Sequence, residues 1–209
     1  MTAPKPLDYS YTDVLPGWDH SIILPPIVQA LRSVPAHGAV LDLGCGNGAM
    51  LAEIRKRGSW KLCGLDSSES AVSMAQSQGF DVRLADATVD SASLFEPHSF
   101  DLIVSAEVIE HVYDPRGFLR QAHRLLRPQG RLLLTTPYHG YLKNLLIAVM
   151  GKFDPHVNPL WDCGHIKFWS RATLSAALTE TGFSRIEFYG AGRVPYLWKS
   201  MVLTAIAQP

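Results

Sequence analysis

The sequence has few cysteines, no long apolar run and no excess charge of either sign. Its three cysteines, Cys45, Cys63 and Cys163, show no C-x-x-C spacing, a pattern typical of reduced thiols in a cytoplasmic protein. The longest wholly apolar run, Leu145–Met150, is far too short to span a bilayer. Residues 1–10 lack the apolar stretch of a secretory signal peptide. We therefore expect a soluble cytoplasmic protein.

Lysine plus arginine number 19, and aspartate plus glutamate also number 19, so the formal net charge is zero. No run of basic residues stands out. Because nucleic-acid phosphates usually require a basic protein surface, no nucleic-acid partner is expected. The 209 residues, 47% hydrophobic and 18% charged, suit one globular domain with a substantial core. The composition makes no prediction about oligomeric state.

Strand and helix signals alternate through most of the chain. Apolar strand-forming runs separated by helix-forming segments predict parallel βαβ units. The last two strands lie too close together for a helical crossover, so they should pair antiparallel. We predict an α/β fold with a Rossmann-like, doubly wound, mostly parallel seven-stranded sheet and a C-terminal antiparallel hairpin. The strands are predicted at about 40–43, 61–66, 81–85, 100–105, 130–136, 184–189 and 201–207.

The chain divides into three regions by sequence pattern. Residues 1–37 are predicted to be an irregular N-terminal segment followed by a helix. Residues 38–209 are predicted to form the α/β domain, within which 138–164 are a helical insertion after the fifth strand. A connection of this length usually carries function, so we expect the insertion to lie on the substrate side.

The first strand ends in alternating glycines, at Gly44, Gly46 and Gly48. A strand, a glycine-rich turn and a helix let backbone N–H groups approach a ligand closely. The G-x-G-x-G spacing differs from the dinucleotide motif G-x-G-x-x-G. Asp42 precedes the glycines, and its carboxylate would repel a pyrophosphate but neutralise a cationic ligand. The stretch therefore indicates a nucleoside that carries positive charge.

Residues 40–48 resemble the first motif of class I S-adenosylmethionine (SAM)-dependent methyltransferases, and the resemblance extends from Val40 to the C-terminus. It implies that the glycines lie against the methionine portion and ribose of SAM. Asp66, at the end of the second strand, is placed to accept hydrogen bonds from the ribose hydroxyls. In the family an acid at the position of Asp86 accepts from the adenine amino group, and the next backbone N–H reaches the ring; the alternative is that Asp86 caps a turn. The cofactor-binding residues predicted in this way are Asp42, Gly44, Cys45, Gly46, Asn47, Asp66, Ser67, Asp86, Ala87 and Glu107.

Aromatic residues before the first strand allow two interpretations. The stretches Tyr9–Tyr11 and Trp18–His20 either fold over the cofactor as a lid or pack against the domain. Cys45 contributes backbone to the cofactor site and is not expected to be a nucleophile, because no basic partner is indicated beside it.

The fourth strand is followed by Glu107-Val108-Ile109-Glu110-His111. If this turn is helical, the two glutamates and the histidine share one face. The stretch is similar to the E-x-x-E-H segment of two methyltransferase branches, the ubiquinone-biosynthesis O-methyltransferases and the small-RNA 2′-O-methyltransferases. In the latter, these three residues and a downstream histidine ligate a divalent metal, and the resemblance makes His165 the fourth candidate ligand. The alternative is a metal-free site in which His111 is the base or a substrate contact and Glu110 supports it.

The acceptor is predicted to be an oxygen of a small hydroxylated molecule, such as a phenol, quinol, sugar or lipid precursor. The Pro-Pro-aromatic run that marks N-methyltransferases of the family is absent after the fourth strand. The alternatives are N- or C-methylation, a SAM-binding protein without catalysis, and an NAD-dependent oxidoreductase, which the glycine spacing disfavours.

The insertion contains the apolar segment Tyr141–Phe153, with Lys143 and Lys152 near its ends. A helix apolar nearly all round is usually buried, and burial is the favoured prediction. The alternative is a substrate gate that also makes peripheral contact with a membrane, with both lysines directed toward anionic headgroups. Aromatic and histidine side chains in the insertion are expected to line an acceptor pocket.

Overall fold

The computed structural model describes residues 11–13, 20–88 and 94–209. A seven-stranded sheet has the order β3-β2-β1-β4-β5-β7-β6. β1 to β5 pair parallel with one another, whereas β7 pairs antiparallel with both β5 and β6. The predicted mostly parallel sheet with a C-terminal antiparallel pair is therefore confirmed. The strands are β1 Ala39–Leu43, β2 Lys61–Asp66, β3 Asp81–Leu84, β4 Phe100–Ala106, β5 Leu126–Pro137, β6 Phe183–Ala191 and β7 Ser200–Ala207.

Helices cover both faces of the sheet and bury its apolar side chains. β1 is buried along its whole length, as expected for the central strand of a sheet with two covered faces. One core cluster includes Leu41, Phe118 and Leu174. A second packs the first helix through Ile27 against Val40, and a third, smaller cluster includes Leu51 and Val72. The helices are α1 His20–Leu31, α2 Ala49–Arg55, α3 Glu69–Ser77, α4 Pro115–Leu125, α5 Tyr141–Val149, α6 Phe153–His156 and α7 Arg171–Glu180, with a short 3₁₀ helix at Ile109–His111.

The helix of the insertion differs from the favoured prediction. α5 was predicted to be buried, but Lys143 is its one buried residue, while Val149 is 75% exposed and Tyr141 is 84% exposed. The segment therefore presents its apolar side chains outward and its lysine inward. Predicting burial from composition failed because α5 lies outside the two layers that cover the sheet.

No helix in the described ranges is both long and apolar enough to cross a membrane.

The sheet changes winding direction between β1 and β4, its two central strands. In open α/β sheets, ligands bind outside the carboxyl ends of the strands at such a switch point. The glycine turn follows β1 there, and Asp66 ends β2 beside it. The fold thus brings the predicted cofactor residues to one edge of the sheet.

Candidate active site

A cavity of about 920 Å³ opens at the carboxyl ends of the strands. Every site residue predicted from the sequence lines it: Asp42, Gly44, Cys45, Gly46, Asn47, Asp66, Ser67, Asp86, Ala87, Glu107, Glu110, His111 and His165. The sheet edge, the turn after β4 and the insertion all contribute walls. Their individual roles remain predictions, but the structure places them around one space.

The glycine turn has backbone conformations that favour glycine. Gly44 and Gly46 have φ angles of 85° and 51°, in the left-handed region that side chains disfavour. A Cβ on Gly44 would lie 2.5 Å from a methyl group of Val108. The turn therefore needs glycine both for its backbone angles and for close packing against the segment after β4.

Asp66 organises the loop that it faces. Its carboxylate accepts hydrogen bonds from the backbone N–H groups of Gly46, at 2.8 Å, and Ser68, at 2.9 Å. These bonds fix the direction of a carboxylate that also lines the cavity. A carboxylate has about four acceptor positions, so a ribose hydroxyl can be bound in addition.

Asp86 makes the contact expected of a turn cap and also faces the cavity. Its Oδ1 accepts hydrogen bonds from the backbone N–H of Thr88 at 2.8 Å and from the Thr88 hydroxyl at 2.7 Å. Capping and cofactor binding are compatible here, because the bonds to Thr88 both use one of the two carboxylate oxygens.

Asp42 is an acid enclosed in the centre of the sheet. It is 1% exposed, and its Oδ2 has no hydrogen-bond partner among the described residues. Burial, and then the nearby charge of Asp66, raises the pKa of Asp42 from 3.8 to about 7. A buried carboxylate of this kind is stabilised by a cationic ligand, which supplies the missing counter-charge.

Cys45 has the environment of an unreactive thiol. Burial, with smaller contributions from the charges of Asp42 and Asp66, raises the pKa of the Cys45 thiol. The thiolate is the reactive form, so the environment agrees with the prediction that Cys45 contributes only its backbone.

Part of the N-terminal segment lies across the glycine turn. Tyr11, Thr12, Asp13 and His20 line the cavity. The side-chain amide of Asn47 donates to the Asp13 carbonyl at 2.8 Å. Tyr9, Ser10, Trp18 and Asp19 lie outside the described residues, so the predicted lid stays a prediction, supported at Tyr11 to Asp13.

Glu110, His111 and His165 converge in the lining of the cavity. Oε1 of Glu110 lies 3.9 Å from Nε2 of His111 and 4.0 Å from Nε2 of His165. One potential ligand atom from each of the three residues lies within 4.8 Å of the others. The insertion closes the group on one side through Trp161, whose ring centroid is 5.1 Å from that of His165.

Backbone hydrogen bonds explain why residues 55 positions apart meet. The Glu110 carbonyl accepts from the N–H groups of Ile166 and Lys167, both at 2.9 Å. The Trp169 indole N–H donates to the Ile109 carbonyl at 3.3 Å. These bonds fasten the segment after the insertion to the 3₁₀ helix and hold His165 beside Glu110.

The orientation of His111 is set by carbonyl oxygens. Its Nδ1 lies 2.8 Å from the Cys163 carbonyl and 3.2 Å from the Gly164 carbonyl. Because a carbonyl only accepts, Nδ1 must carry the proton and Nε2 of the neutral ring keeps its lone pair. Burial lowers the pKa of His111, which favours the neutral form of the ring.

His165 is held neutral in the same way. Burial, and then the charges of His111 and His156, lowers the pKa of His165 to about 4. Two neutral imidazoles beside a buried carboxylate can serve as metal ligands or as a base with its supporting groups.

Glu107 departs from the arrangement predicted for it. It has a φ angle of 56°, and the 3₁₀ helix begins only at Ile109, so Glu107 and Glu110 do not follow each other on one helical face. Oε1 of Glu107 accepts a hydrogen bond from the Thr135 hydroxyl at 2.8 Å. Glu107 is not in the potential ligand group found among the described residues. Its backbone also pairs with β5 through the Thr135 carbonyl, which turns it away from a helical path.

Sequence reasoning missed three cationic residues of the cavity, Lys143, Arg193 and Lys199. Lys143 was considered only in the alternative interpretation of its helix, as a residue directed toward membrane headgroups, and neither Arg193 nor Lys199 was assigned to the site. The available signal was a lysine within a mostly apolar helix, because such a residue marks the helix face that differs from the rest.

Comparison with known proteins agrees with the geometry. A family described as methyltransferase domain matches residues 22–187. The chain is 36% identical over 116 residues to a ubiquinone biosynthesis O-methyltransferase of Caulobacter vibrioides, covering 54% of this chain and 45% of that protein. A protein of the same name from Pseudomonas entomophila is 31% identical over 116 residues, with 54% and 49% covered. The matches thus span about half the length of these relatives.

Solved structures share the fold at low identity. The YcgJ protein of Bacillus subtilis superposes with a TM-score of 0.69 at 17% identity, covering 89% of this chain and 98% of that one. Phosphoethanolamine N-methyltransferase 2 of Haemonchus contortus, solved with SAM, gives 0.67 at 16% identity, with 92% and 53% covered. These identities establish the fold alone. The family match covers most of the chain. The chain therefore belongs to the methyltransferase domain family, among the class I SAM-dependent methyltransferases.

Proposed function

We propose that this protein transfers a methyl group from SAM to an oxygen of a small hydroxylated acceptor. The observation that carries the proposal is the fixed Nε2 lone pair of His111, next to Glu110 and in the same cavity as the strand-end acids. A hydroxyl becomes a good nucleophile when a positioned base removes its proton. SAM supplies an activated methyl group on its sulfonium, so the protein has mainly to position and deprotonate the acceptor.

The two ends of the cavity suit these two tasks. Asp42, Asp66 and Asp86 lie near or just beyond the carboxyl ends of three neighbouring strands and would hold the cationic cofactor. Glu110, His111 and His165 lie on the side of the insertion and would meet the acceptor. Cofactor and acceptor would then enter one cavity from different walls, with the reacting atoms between them.

The acceptor is proposed to be a phenol or quinol with an apolar part. The relatives matched are named for ubiquinone biosynthesis and O-methylation, which supports a hydroxylated ring as substrate. The rings of Trp161 and His165 lie next to that of His111, with centroids 6.1 Å and 4.9 Å away, and a pocket lined by such rings suits a planar acceptor. Structural neighbours include N- and carbon methyltransferases, but at 16–21% identity they do not identify the acceptor atom.

A methyl-transfer assay tests the proposal. Purified protein is incubated with SAM and either catechol or aniline, and S-adenosylhomocysteine is measured by mass spectrometry together with the methylated product. We expect product from catechol that carries one added methyl group on oxygen, and none from aniline. Methylation of aniline alone would shift the assignment to nitrogen. SAM binding without turnover of any hydroxylated acceptor would favour a non-catalytic binding protein.

We also propose that Glu110, His111 and His165 can hold a divalent metal. Donor atoms about 2.1 Å from a tetrahedral ion lie about 3.4 Å apart, and the observed 3.9 Å and 4.0 Å separations are only slightly wider. A bound metal would lower the pKa of the acceptor hydroxyl. The donor set of two imidazoles and a carboxylate suits zinc, manganese, iron or cobalt better than magnesium. Elemental analysis tests this proposal: wild-type protein should contain metal and His165→Ala protein should lose it, while His37→Ala, at an exposed histidine, serves as the control. If metal-free protein is fully active after chelation, His111 acts as the base without a metal.

Peripheral membrane contact remains a prediction that the exposed face of α5 supports. Leu142, Leu145 and Leu146 are each more than a third exposed on this helix, and a lipophilic acceptor would have to be collected from a bilayer. We expect the protein to float with liposomes containing anionic lipid, and Leu146→Glu to reduce the floated fraction severalfold. The matched control is Leu84→Glu, at an exposed leucine on β3. If wild-type protein stays with the unbound fraction at low salt, the exposed face serves another purpose.

A further inference from the structure

The cavity has acidic and basic lining residues on different elements. Its acids come from the segment 11–13, the ends of the parallel strands and the turn after β4, and its lysines and arginine come from the insertion and the loop between β6 and β7. The acids are Asp13, Asp42, Asp66, Asp86, Glu107 and Glu110, and the bases are Lys143, Arg193 and Lys199. A cofactor with net positive charge accounts for the acidic wall but not for the basic one.

Lys143 is the most unusual residue of the basic wall. It is 5% exposed, although the rest of α5 faces outward. Its ammonium donates to the Tyr138 carbonyl at 2.8 Å and more weakly to the Lys199 carbonyl at 3.4 Å. Burying an ammonium is costly unless charge or hydrogen bonds compensate for it. Two carbonyls compensate in part, and an ammonium has three donors.

The neighbours of Lys143 add positive charge. Burial first, and then the charge of Arg193, lowers the pKa of Lys143 to about 8, against the opposite effect of Glu107. Burial, followed by the charges of Lys143 and Arg193, also lowers the pKa of His156. Lys143 and Arg193 therefore place positive charge on this wall of the cavity, and among the described residues neither of them forms an ion pair with an acid.

We propose that Lys143 and Arg193 bind an oxyanion of the methyl acceptor, either a carboxylate or a phosphate group. An arginine fork and a buried ammonium are the donors that such groups bind best. His139 and His156 have ring centroids 5.7 Å apart, and burial followed by the charge of Lys143 lowers the pKa of both; His156 also lines the cavity. The inference rests on the proposed function in one respect, that the bound anion is part of the methyl acceptor.

The acceptor would then be anchored at two points. Its oxyanion would contact Lys143 and Arg193 on the insertion side, and its hydroxyl would face His111, which lines the same cavity. Two anchors fix the direction of the hydroxyl, whereas a purely apolar pocket would leave a small ring free to rotate. Neutral phenols would accordingly be poorer ligands than their anionic counterparts.

Calorimetric binding of three matched probes tests the inference without turnover. They are 4-hydroxybenzoate, 4-hydroxyphenyl phosphate and the neutral 4-hydroxybenzamide, each titrated with S-adenosylhomocysteine present and again without it. We expect at least one anion to bind about tenfold or more tightly than the amide at low salt. The tighter of the two anions identifies the group as carboxylate or phosphate. Equal binding of the amide and both anions, or no binding of either anion, would overturn the inference.

Variants test whether Lys143 and Arg193 cause the preference for anionic over neutral probes. Arg193→Gln should remove most of the anion preference and leave amide binding unchanged, and Lys143→Met should do the same. Arg185→Gln is the matched control, because Arg185 is also exposed at positive φ but lies outside the cavity lining. Since Lys143→Met could affect folding of the insertion, thermal melts accompany it, and the exposed Arg193 provides an independent variant.

The anion site and the proposed O-methylation can each fail without the other. If the anion preference is present and depends on Arg193 but no hydroxylated acceptor is methylated, the anion site stands and O-methylation fails. If catechol is methylated while no anion preference is found, O-methylation stands and the anion site fails.

Discussion

Replacing His111 with asparagine is expected to lower the rate of methyl transfer by about 100- to 10,000-fold, the usual contribution of a positioned base. The expectation follows from the ring geometry. Asparagine can keep a donor near the position of Nδ1 and so retain the hydrogen bond to the Cys163 carbonyl. It removes Nε2, the atom that faces Glu110 and His165. The variant therefore tests the lone pair while preserving the local fold.

His98→Asn is the matched control for this variant. Nδ1 of His98 also contacts a backbone carbonyl, that of Leu126 at 2.9 Å, but the residue does not line the cavity. We expect His98→Asn to retain wild-type turnover, and both variants to bind S-adenosylhomocysteine as the wild type does by calorimetry. Wild-type turnover by His111→Asn would show that the acceptor loses its proton to another group or to water.

The cofactor side was predictable from sequence because its signals are local. The glycines after β1 and the acids at Asp42, Asp66 and Asp86 are each fixed by the end of one strand. The carboxyl ends of parallel strands lie at one edge of the sheet regardless of the conformation of the connecting loops. Knowing that the strands were parallel was therefore enough to place these residues around a single cavity.

The acceptor side was predictable only in part because it depends on contacts between distant segments. The convergence of His165 with Glu110 and His111 was implied by a family resemblance, and the backbone bonds from Ile166 and Lys167 that produce it have no sequence signature. Glu107 was expected to share a face with Glu110 and His111 if the turn after β4 were helical, but the 3₁₀ helix begins only at Ile109. The backbone N–H of Glu107 donates instead to the Thr135 carbonyl of β5, so Glu107 does not share a helical face with Glu110.

The insertion shows how composition can mislead about burial. An apolar helix is usually buried, yet α5 exposes its leucines and buries Lys143. Whether a helix is covered depends on what packs over it, and the described residues of this chain place nothing over the outer face of α5. The lysine inside and the apolar residues outside together favour a functional surface over a structural layer.

Replacing Asp42 with asparagine is expected to weaken SAM binding by on the order of tenfold or more above pH 7 and to remove part of its pH dependence. Asp42 is fully buried, and burial followed by the charge of Asp66 raises its pKa to about 7 in the ligand-free protein. A cationic ligand binds the ionised carboxylate, so affinity should rise as pH increases through this pKa. With a pKa of about 7, the ionised fraction rises about tenfold between about pH 6 and about pH 8.

The measurement is SAM affinity by calorimetry across that range, expressed as the ratio of wild type to Asp42→Asn, because titration of SAM itself then cancels. We expect the ratio to increase about tenfold from the acidic to the basic end. The folded-state pKa of Asp42 is raised, so its charge destabilises the ligand-free fold above the unfolded pKa and this cost is relieved as pH falls. Asp42→Asn should therefore melt no lower than the wild type at the basic end, which separates weaker binding from misfolding. A ratio that does not change with pH would place the cationic part of SAM away from Asp42.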